Sequence, residues 1–397
     1  MERANFVSVI TLTSPLHVSV PGNAWYNWDT GRTLFSRPQA GSKETISTLV
    51  RTRTMGIPKL AGPVAENAGE TETSSKFRDS TFVPEIPPNG WRGIFRRACA
   101  DLVFEALGIN GETASLDLYH MLTCGNVTGN PDTESPSVDE IKKASSHIFI
   151  GLFGGGPRFY HGALKVSNVY PICPVTIERS LVASRPEVAV GTNALTQTIM
   201  IRRNDDLIGW FPKRAADVIT DFAASVNNWM EECSNNSARN DAKDEEAGRG
   251  LKAFSAIEFV MPGTSFESKI SVDSRRDGQV GLVILGLAKI FNEVCFGGKQ
   301  GIGFGRYIVQ IGESTLTING KSHRFLKKME DGDYEPNMDD SEVAALVNAA
   351  REELAALKVA DMEEFCRRPK PKTAAKNKAS GSVSEADNAI DTGEKNK

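Results

Sequence analysis

Residues 6–20 are dominated by β-branched side chains, and their apolar and polar positions roughly alternate, which predicts a β-strand. In residues 91–107 apolar side chains recur at helical spacing, and Gly108 follows as a stop signal, so this segment predicts a helix packed on a core. Four later segments continue the pattern as strand, strand, helix and strand: residues 251–261, 265–272, 280–294 and 306–311.

This order of elements is the β-α-β-β-α-β pattern of a ferredoxin-like or RRM-like sheet. The sequence therefore predicts an α+β protein with a single RRM-like palm over residues 1–330, interrupted by long insertions that form a thumb and finger-like elements. We place a loop or finger at residues 21–85, an insertion at 109–160 and the thumb region at 170–250.

Shorter segments fill the intervals. Residues 140–147 predict a helix, and the apolar residues 148–153 predict a short strand. Ser341 stands before an amphipathic stretch as a helix cap, so residues 331–366 predict a C-terminal helical extension. The Lys-, Ala- and Ser-rich residues 367–397 predict a disordered basic tail.

Composition excludes several classes. The longest apolar stretch, residues 280–290, falls short of the roughly 20 residues that span a bilayer, so we expect a cytoplasmic protein with no membrane partner. The six cysteines form no C-x-x-C pair and none has metal spacing with a histidine, so we expect free thiols, no metal and no cofactor. The net charge of −4 counts mildly against a nucleic-acid binder, but residues 91–97 carry three arginines and no acid.

Three segments carry candidate chemistry. In the first, Pro87-Pro88-Asn89-Gly90 delivers the chain into a helix whose first turn exposes N–H groups that attract phosphate. The arginine fork suits phosphate because it donates two hydrogen bonds at once. The candidate phosphate-contacting residues here are Arg92, Gly93, Arg96 and Arg97. The alternative is a capped surface helix with solvated arginines.

The second segment is the glycine-rich stretch 297–306, between a helix and a strand. It is neither a Walker loop nor a dinucleotide fingerprint, because both follow a strand and open a helix. Its glycines permit close backbone approach to a ligand, although tight internal packing is an equal alternative. The candidates are Gly297, Gly298, Lys299, Gln300, Gly301, Gly303 and Arg306.

The third segment, residues 192–214, interleaves basic and large apolar side chains, which suits a nucleic-acid strand as well as a hairpin on its own core. Its candidates are Arg202 and Arg203. Catalytic constellations are poor, since the five histidines show no ligand spacing and no G-x-S-x-G elbow occurs. His17 with Asp29 is the one acid/base pairing that sequence position suggests.

Four motifs in this order resemble the RAMP superfamily of CRISPR proteins. The entry into the first helix, from Ile86 to Arg96, is similar to the family's I-P-G-S-S-L-K-G-x-x-R, and the glycine-rich stretch resembles its C-terminal loop. Leu152-Phe153-Gly154 before an alternating strand is similar to its L-F-G element. Residues 258–266 are similar to its E-x-V-P-x-G-T-x-F hairpin.

The resemblance implies a backbone subunit of the seventh Cas family, most like the type IV one. Such a subunit coats a crRNA guide along a filament of its own copies, beside other CRISPR effector subunits, and leaves target DNA or RNA to base pairing. Arg92, Arg96 and the glycine-rich loop would then line the guide groove, with Arg202 and Arg203 on or near the thumb. No enzyme activity is expected.

Two alternatives stay open. Type III relatives carry an aspartate after the first strand that cleaves target RNA, and Asp29 stands in about that place, although Trp25-Tyr26-Asn27-Trp28 fits their pattern poorly. The other alternative is a monomeric RRM-like adaptor, against which the missing aromatic strand signature counts.

Overall fold

The computed structural model describes residues 3–20, 24–36, 46–58, 80–109, 111, 113–125, 135–191, 195–204, 220–225, 227–228, 231, 252–273, 276–293 and 295–367. These residues form an α+β structure, as the sequence predicts. Parts of the predicted finger and thumb, including residues 205–219 and 232–250, lie outside the described residues, and so does the predicted tail from residue 368.

The strands are β1 (Ala4–Leu12), β2 (Ala24–Asn27), β3 (Arg32–Leu34), β4 (Ile46–Val50), β5 (Thr54–Pro58), β6 (Ser80–Pro84), β7 (Gly154–Gly155), β8 (Tyr160–His161), β9 (Leu164–Val166), β10 (Tyr170–Pro171), β11 (Thr196–Asn204), β12 (Lys252–Val260), β13 (Ser265–Val272), β14 (Tyr307–Val309), β15 (Thr315–Ile318), β16 (Lys321–His323), β17 (Leu326–Lys328) and β18 (Tyr334–Pro336). The helices are α1 (Pro88–Ile109), α2 (Leu116–Cys124), α3 (Val138–Ser146), α4 (Ile150–Phe153), α5 (Pro174–Glu178), α6 (Asp277–Glu293), α7 (Ser341–Ala355) and α8 (Val359–Glu363).

Strand β1 is the centre of the seven-stranded main sheet. It pairs antiparallel with β13 on one side, where Phe6 stands opposite Ile270, and with β14 and β15 on the other. Strands β9 and β10 extend the sheet beyond β13, and β16 extends it beyond β15. The sheet thus combines the first strand of the chain with strands from its second half.

The two faces of β1 have different surroundings. Ala4, Phe6, Ile10 and Leu12 are buried in the main hydrophobic core, which also contains apolar residues of α1, α6 and α7. Because successive strand residues point to opposite faces, Val9 lies on the other side. There it packs against Ile172 and Val182, so residues 172–190 cover part of the face opposite the helices.

A buried ion pair fastens this covering segment to the sheet. Arg185 is bonded to Glu267 of β13, whose side chain is 1% exposed, and also to Glu313 at 2.8 Å. The Glu267 carboxylate in addition accepts from the backbone N–H of Ala183 at 3.3 Å and pairs with Lys269 at 2.9 Å. The sheet face opposite the helices is therefore partly covered by the chain itself.

A five-stranded second sheet has the order β11-β12-β4-β2-β3. Strand β12 belongs to this sheet, so the prediction that β12 and β13 form a hairpin is wrong. The reason is that residues 12–16 run between them: Leu12 exchanges backbone hydrogen bonds with Gly263 and Thr264, and Leu16 does so with Val260. The chain passes in this way from the main sheet to the second sheet, and β1 ends at Leu12 rather than at residue 20.

Two smaller predictions also need correction. The segment predicted as a strand over 148–153 is the short helix α4, whose N–H groups at Phe149 and Ile150 bond to Nδ1 of His147. Asp340, not Ser341, caps α7, because its carboxylate accepts from the N–H groups of Glu342 and Val343. Helix α7 contributes Val343, Leu346, Val347 and Ala350 to the main core, so it is an integral part of the fold.

Among the described residues, no helix is both long enough and apolar enough to cross a lipid bilayer.

Candidate nucleic-acid interface

The glycine-rich loop, residues 295–306, joins α6 to β14 and is closed at its base by backbone hydrogen bonds. Phe296 N–H donates to Gly305 at 2.9 Å, Gly305 N–H to Pro15 at 2.7 Å and Gly298 N–H to His17 at 2.7 Å. The base of the loop is therefore fixed to the chain that follows β1. Its tip is a single 3₁₀ turn over Gln300–Ile302.

The glycines serve two different purposes. Gly297 and Gly305 have φ of +75° and +85°, and a Cβ on them would lie 2.3 Å from the His17 oxygen and 1.9 Å from the Phe296 oxygen. A side chain at either position would collide with backbone, so these glycines are required for packing. At Gly301 and Gly303, in contrast, nothing lies within 4 Å of the Cβ position, so the tip is open.

The tip presents basic and apolar side chains to solvent. Lys299, Gln300, Ile302 and Arg306 are all exposed. Lys299 and Arg306 form no ion pair within the described part of the chain, whereas Gln300 donates Nε2 to the carbonyls of Cys295 at 2.6 Å and Gly297 at 3.1 Å. The two cations are thus available to an anion, and Gln300 stabilises the turn.

Helix α1 begins beside this loop. The Trp91 ring meets the Phe296 ring edge-on with centroids 4.8 Å apart, and Phe296 stacks on Tyr307 at 4.4 Å. The structure therefore brings together two segments that the sequence analysis selected separately. The exposed Asn89 and Gly90 stand at the start of the helix.

Arg96 is buried and Arg92 is half-buried, and both donate to backbone carbonyls. Arg96 is 6% exposed and donates to the carbonyls of Leu122 at 2.8 Å, Met121 at 2.6 Å and Gly154 at 2.9 Å. Arg92 donates to the Phe153 carbonyl at 2.6 Å. These bonds join α1 to the end of α2 and to the L-F-G element.

Burial, together with the charge of Arg92, lowers the pKa of Arg96 to about 10, which leaves the guanidinium charged at neutral pH. The guanidinium carbon of Arg96 lies 5.3 Å from the centroid of the Phe149 ring and 5.5 Å from that of the Phe153 ring, so two aromatic faces help to stabilise the charge. Arg96 therefore connects α1, the end of α2 and the L-F-G element. Arg97, in contrast, is exposed, and its Nη1 would lie 3.6 Å from a Cβ on Gly93.

Arg202 and Arg203 lie on β11, at the edge of the second sheet, with their backbones opposite Phe254 and Ala253. This sheet contacts the glycine-rich loop, because Phe304 packs on Phe259 with centroids 5.9 Å apart. Ile199 and Ile201 of β11 pack on the same cluster. The third candidate segment therefore belongs to a sheet that contacts the glycine-rich loop. The side chains of Arg202 and Arg203 lie outside the described part of the structure.

His17 and Asp29 do not form a pair. Nδ1 of the buried His17 bonds to the Glu258 carbonyl at 2.8 Å and Nε2 to Ser19 Oγ at 3.1 Å, while Asp29 is exposed in the turn between β2 and β3. No group of three or more His, Cys, Asp or Glu among the described residues is placed to hold a metal ion. His17 instead supports the base of the glycine-rich loop.

Sequence reasoning missed one exposed pair on the second sheet. The guanidinium carbon of Arg51 lies 4.8 Å from the ring centroid of Phe35, and that ring is 70% exposed. The aromatic-rich residues 24–30 were the only local signal. A contact between residues 16 positions apart on different strands leaves no mark in a spacing pattern.

Comparisons with known proteins give the family. A family model described as the RAMP superfamily matches residues 9–308, well over half of the chain. The curated proteins contain no match. Among solved structures, the chain is similar to one described as "Type IV-B CRISPR Complex", with 16% identity over 80% of this chain and 91% of that chain and a TM-score of 0.40. By its family match, the chain belongs to the RAMP superfamily.

Proposed function

We propose that this chain is a crRNA-binding backbone subunit of a CRISPR effector complex, most like the type IV one, which forms a filament along the guide and presents it for base pairing. Membership of the RAMP superfamily supports the CRISPR part of the proposal. The observation that carries the RNA-binding part is the open tip of the glycine-rich loop, where the cations Lys299 and Arg306 are exposed and form no ion pair within the described residues.

A ferredoxin-like palm is part of the proposal. The strand order β9/β10, β13, β1, β14/β15 with antiparallel neighbours supports it, as does the location of α1 and α6 against one face. In the proposed palm, β9 and β10 are the strands next to β13, the position predicted for residues 251–261. Since residues 172–190 partly cover the opposite face, the RNA would run along the loop and not across the sheet.

The chemistry of the tip suits phosphate. Lysine offers a compact charge and arginine a two-donor fork, and neither distinguishes one base from another. A coat that accepts any guide needs this kind of contact. Arg97 is a further candidate since it is exposed on the same helix as Trp91. Arg96 is assigned a supporting part because its donors bond to buried carbonyls, and Arg92 shares that part through its bond to the Phe153 carbonyl, although its Nε has no partner among the described residues.

Growth along the guide would require head-to-tail contacts between copies, which give open filaments when the rotation does not close. Target strands and other effector subunits would join this filament. These parts of the proposal rest on the family resemblance, and the proposal includes no catalytic residue.

The test is purification after expression with a CRISPR array. Wild-type protein should elute as large particles with a high ratio of absorbance at 260 to 280 nm and should yield RNA of discrete length. The double variant Lys299→Glu, Arg306→Glu should lose this RNA. A charge-reversal control is Lys321→Glu, at an exposed lysine on β16, which pairs with β15 at the other end of β1. Wild-type particles without nucleic acid, or a double variant that retains it, would contradict the proposal.

A further inference from the structure

A face of the second sheet is lined by aromatic and small residues. Ala24, Leu49 and Ala256 form a small buried cluster there, against which Tyr26 and Trp28 pack while only partly buried. The rings of Tyr26 and Trp28 meet edge-on with centroids 4.7 Å apart, and Trp28 Nε1 donates to Ser47 Oγ at 2.9 Å. The aromatic-rich segment of the sequence is therefore held rigidly on a sheet.

The pair Phe35–Arg51 stands at the edge of this cluster. Phe35 directly follows β3, and its pairing continues towards Ala24, since Leu34 is opposite Trp25. Arg51 follows Leu49 by two residues and so points to the same side as Leu49. The guanidinium covers one side of a ring that remains 70% exposed, and Arg51 forms no ion pair within the described residues.

The pair contributes little to the stability of the fold. An exposed phenyl ring contributes little burial, and an unpaired guanidinium held over it loses side-chain freedom. The gain from an exposed cation–π contact is small. Arg51 interacts electrostatically with the Glu258 carboxylate, although the two do not form an ion pair. A flat cationic and aromatic surface of this kind is suited to a ligand that has both negative charge and π faces.

This surface is continuous with the glycine-rich loop. Gly298 bridges to His17, and Ser19, two residues further on, bridges to Thr52, the neighbour of Arg51. A Cβ on Gly298 would lie 3.6 Å from Ser19 Oγ. Three chain segments thus lie side by side between Lys299 and Arg51, a width of about 10 Å at the usual strand spacing.

We propose that Phe35 and Arg51 form a stacking platform for one unpaired nucleobase of a strand that also contacts the glycine-rich loop. The inference rests on the proposed function for the identity of the strand. Arg51 would hold a phosphate or extend the stack, and Phe35 would carry the base. A base has a π face whatever its identity, so the platform would accept any sequence. The base belongs to either the guide or the target, which share this chemistry.

Two measurements test the platform. The first uses short oligouridylate and oligothymidylate with guide-free protein, and anisotropy gives the Kd. We expect Phe35→Leu to weaken binding about 5- to 20-fold and Phe35→Trp to retain it, since stacking needs a ring. The control Phe82→Leu alters another exposed phenylalanine, on β6, and should stay within about twofold.

The second measurement uses assembled particles with 5-iodouridine in the guide in one arm and in a bound target strand in the other. A photo-cross-link mapped to Phe35 in either arm supports the platform and identifies the strand. Particles that carry guide but give no cross-link at Phe35, with unchanged Kd in Phe35→Leu, would overturn the platform and leave the proposed function standing. Weaker binding by Phe35→Leu, together with wild-type particles that carry no guide, would support the platform and contradict the proposed function.

Discussion

Trp91 and Phe296 meet edge-on with ring centroids 4.8 Å apart, and this contact joins the start of α1 to the start of the glycine-rich loop. The two residues are buried and belong to segments about 200 positions apart in the chain. Because each ring fixes the other, the exposed tip of the loop is mounted on the rigid core and not on a free connection. Predictions about the interface can therefore separate residues that build it from residues that contact a ligand.

The first prediction concerns Arg96. Arg96→Met should lower the free energy of unfolding by at least about 3 kcal/mol, because it leaves several buried carbonyls without donors. Arg97→Met, at an exposed position, should change it by no more than about 0.5 kcal/mol. Urea denaturation of both variants gives the comparison. Equal stability of the two would contradict the supporting role assigned to Arg96.

The second prediction separates the glycines of the loop. Gly305→Ala should be destabilised by more than about 2 kcal/mol, since its Cβ would lie 1.9 Å from the Phe296 oxygen at a φ of +85°. Gly301→Ala has open space and should be near neutral. Thermal unfolding measures both. A stable Gly305→Ala protein would mean that the loop base is less constrained than its hydrogen bonds indicate.

The third prediction is an acid sensitivity. Burial lowers the pKa of His147 to about 4, with Arg276 and Lys143 also acting to lower it and Asp361 to raise it. In the unfolded chain, the imidazole of His147 is protonated below about pH 6.5, whereas in the folded protein it stays neutral down to about pH 4. The free energy of unfolding therefore keeps its full value above pH 6.5 and falls by about 3 kcal/mol as the pH approaches 4.

The matched variant is His147→Asn, which removes the titration and offers a side-chain oxygen for the N–H groups of Phe149 and Ile150. Its stability should vary less between pH 6.5 and 4 than that of the wild type. Parallel pH profiles of urea midpoints for the two proteins would show that other groups account for the acid loss.

The fourth prediction concerns salt. If Lys299 contacts one phosphate of a single strand, Lys299→Gln should reduce the slope of log Kobs against log salt by about 0.7, and should do so equally for different RNA sequences. Titrations of guide-free protein with two unrelated oligonucleotides at several sodium chloride concentrations measure this. Lys321→Gln, on β16 near the end of β1 that is remote from the loop, should leave the slope unchanged.

The regular elements followed from local pattern. Helices α1 and α6 and strands β12 and β13 lie close to their predicted positions because each carries an uninterrupted apolar period. The prediction failed where partners are distant. The sequence could not indicate that Arg96 is buried, because its acceptors at 121, 122 and 154 are brought there by tertiary folding. Nor could it separate β12 from β13, since the chain that divides them is residues 12–16.

The strand prediction for residues 148–153 was wrong for a related reason. A short apolar run that is buried on all sides has no period to distinguish helix from strand, and the deciding factor was the His147 ring, which accepts from the first N–H groups. For the interface, the loop and its cations could be selected from the sequence. The Phe35–Arg51 pair could not, because it depends on strand register.

The central position of β1 also sets the timing of synthesis. Residues 4–12 are synthesised well before their strand partners, which begin at Ser265 and extend to Ile318. At about 5–20 residues per second, β1 waits about 10–50 s before β13 has been translated. The main sheet therefore closes only late in translation, and until then the apolar face of β1 is without the strands that flank it in the folded protein.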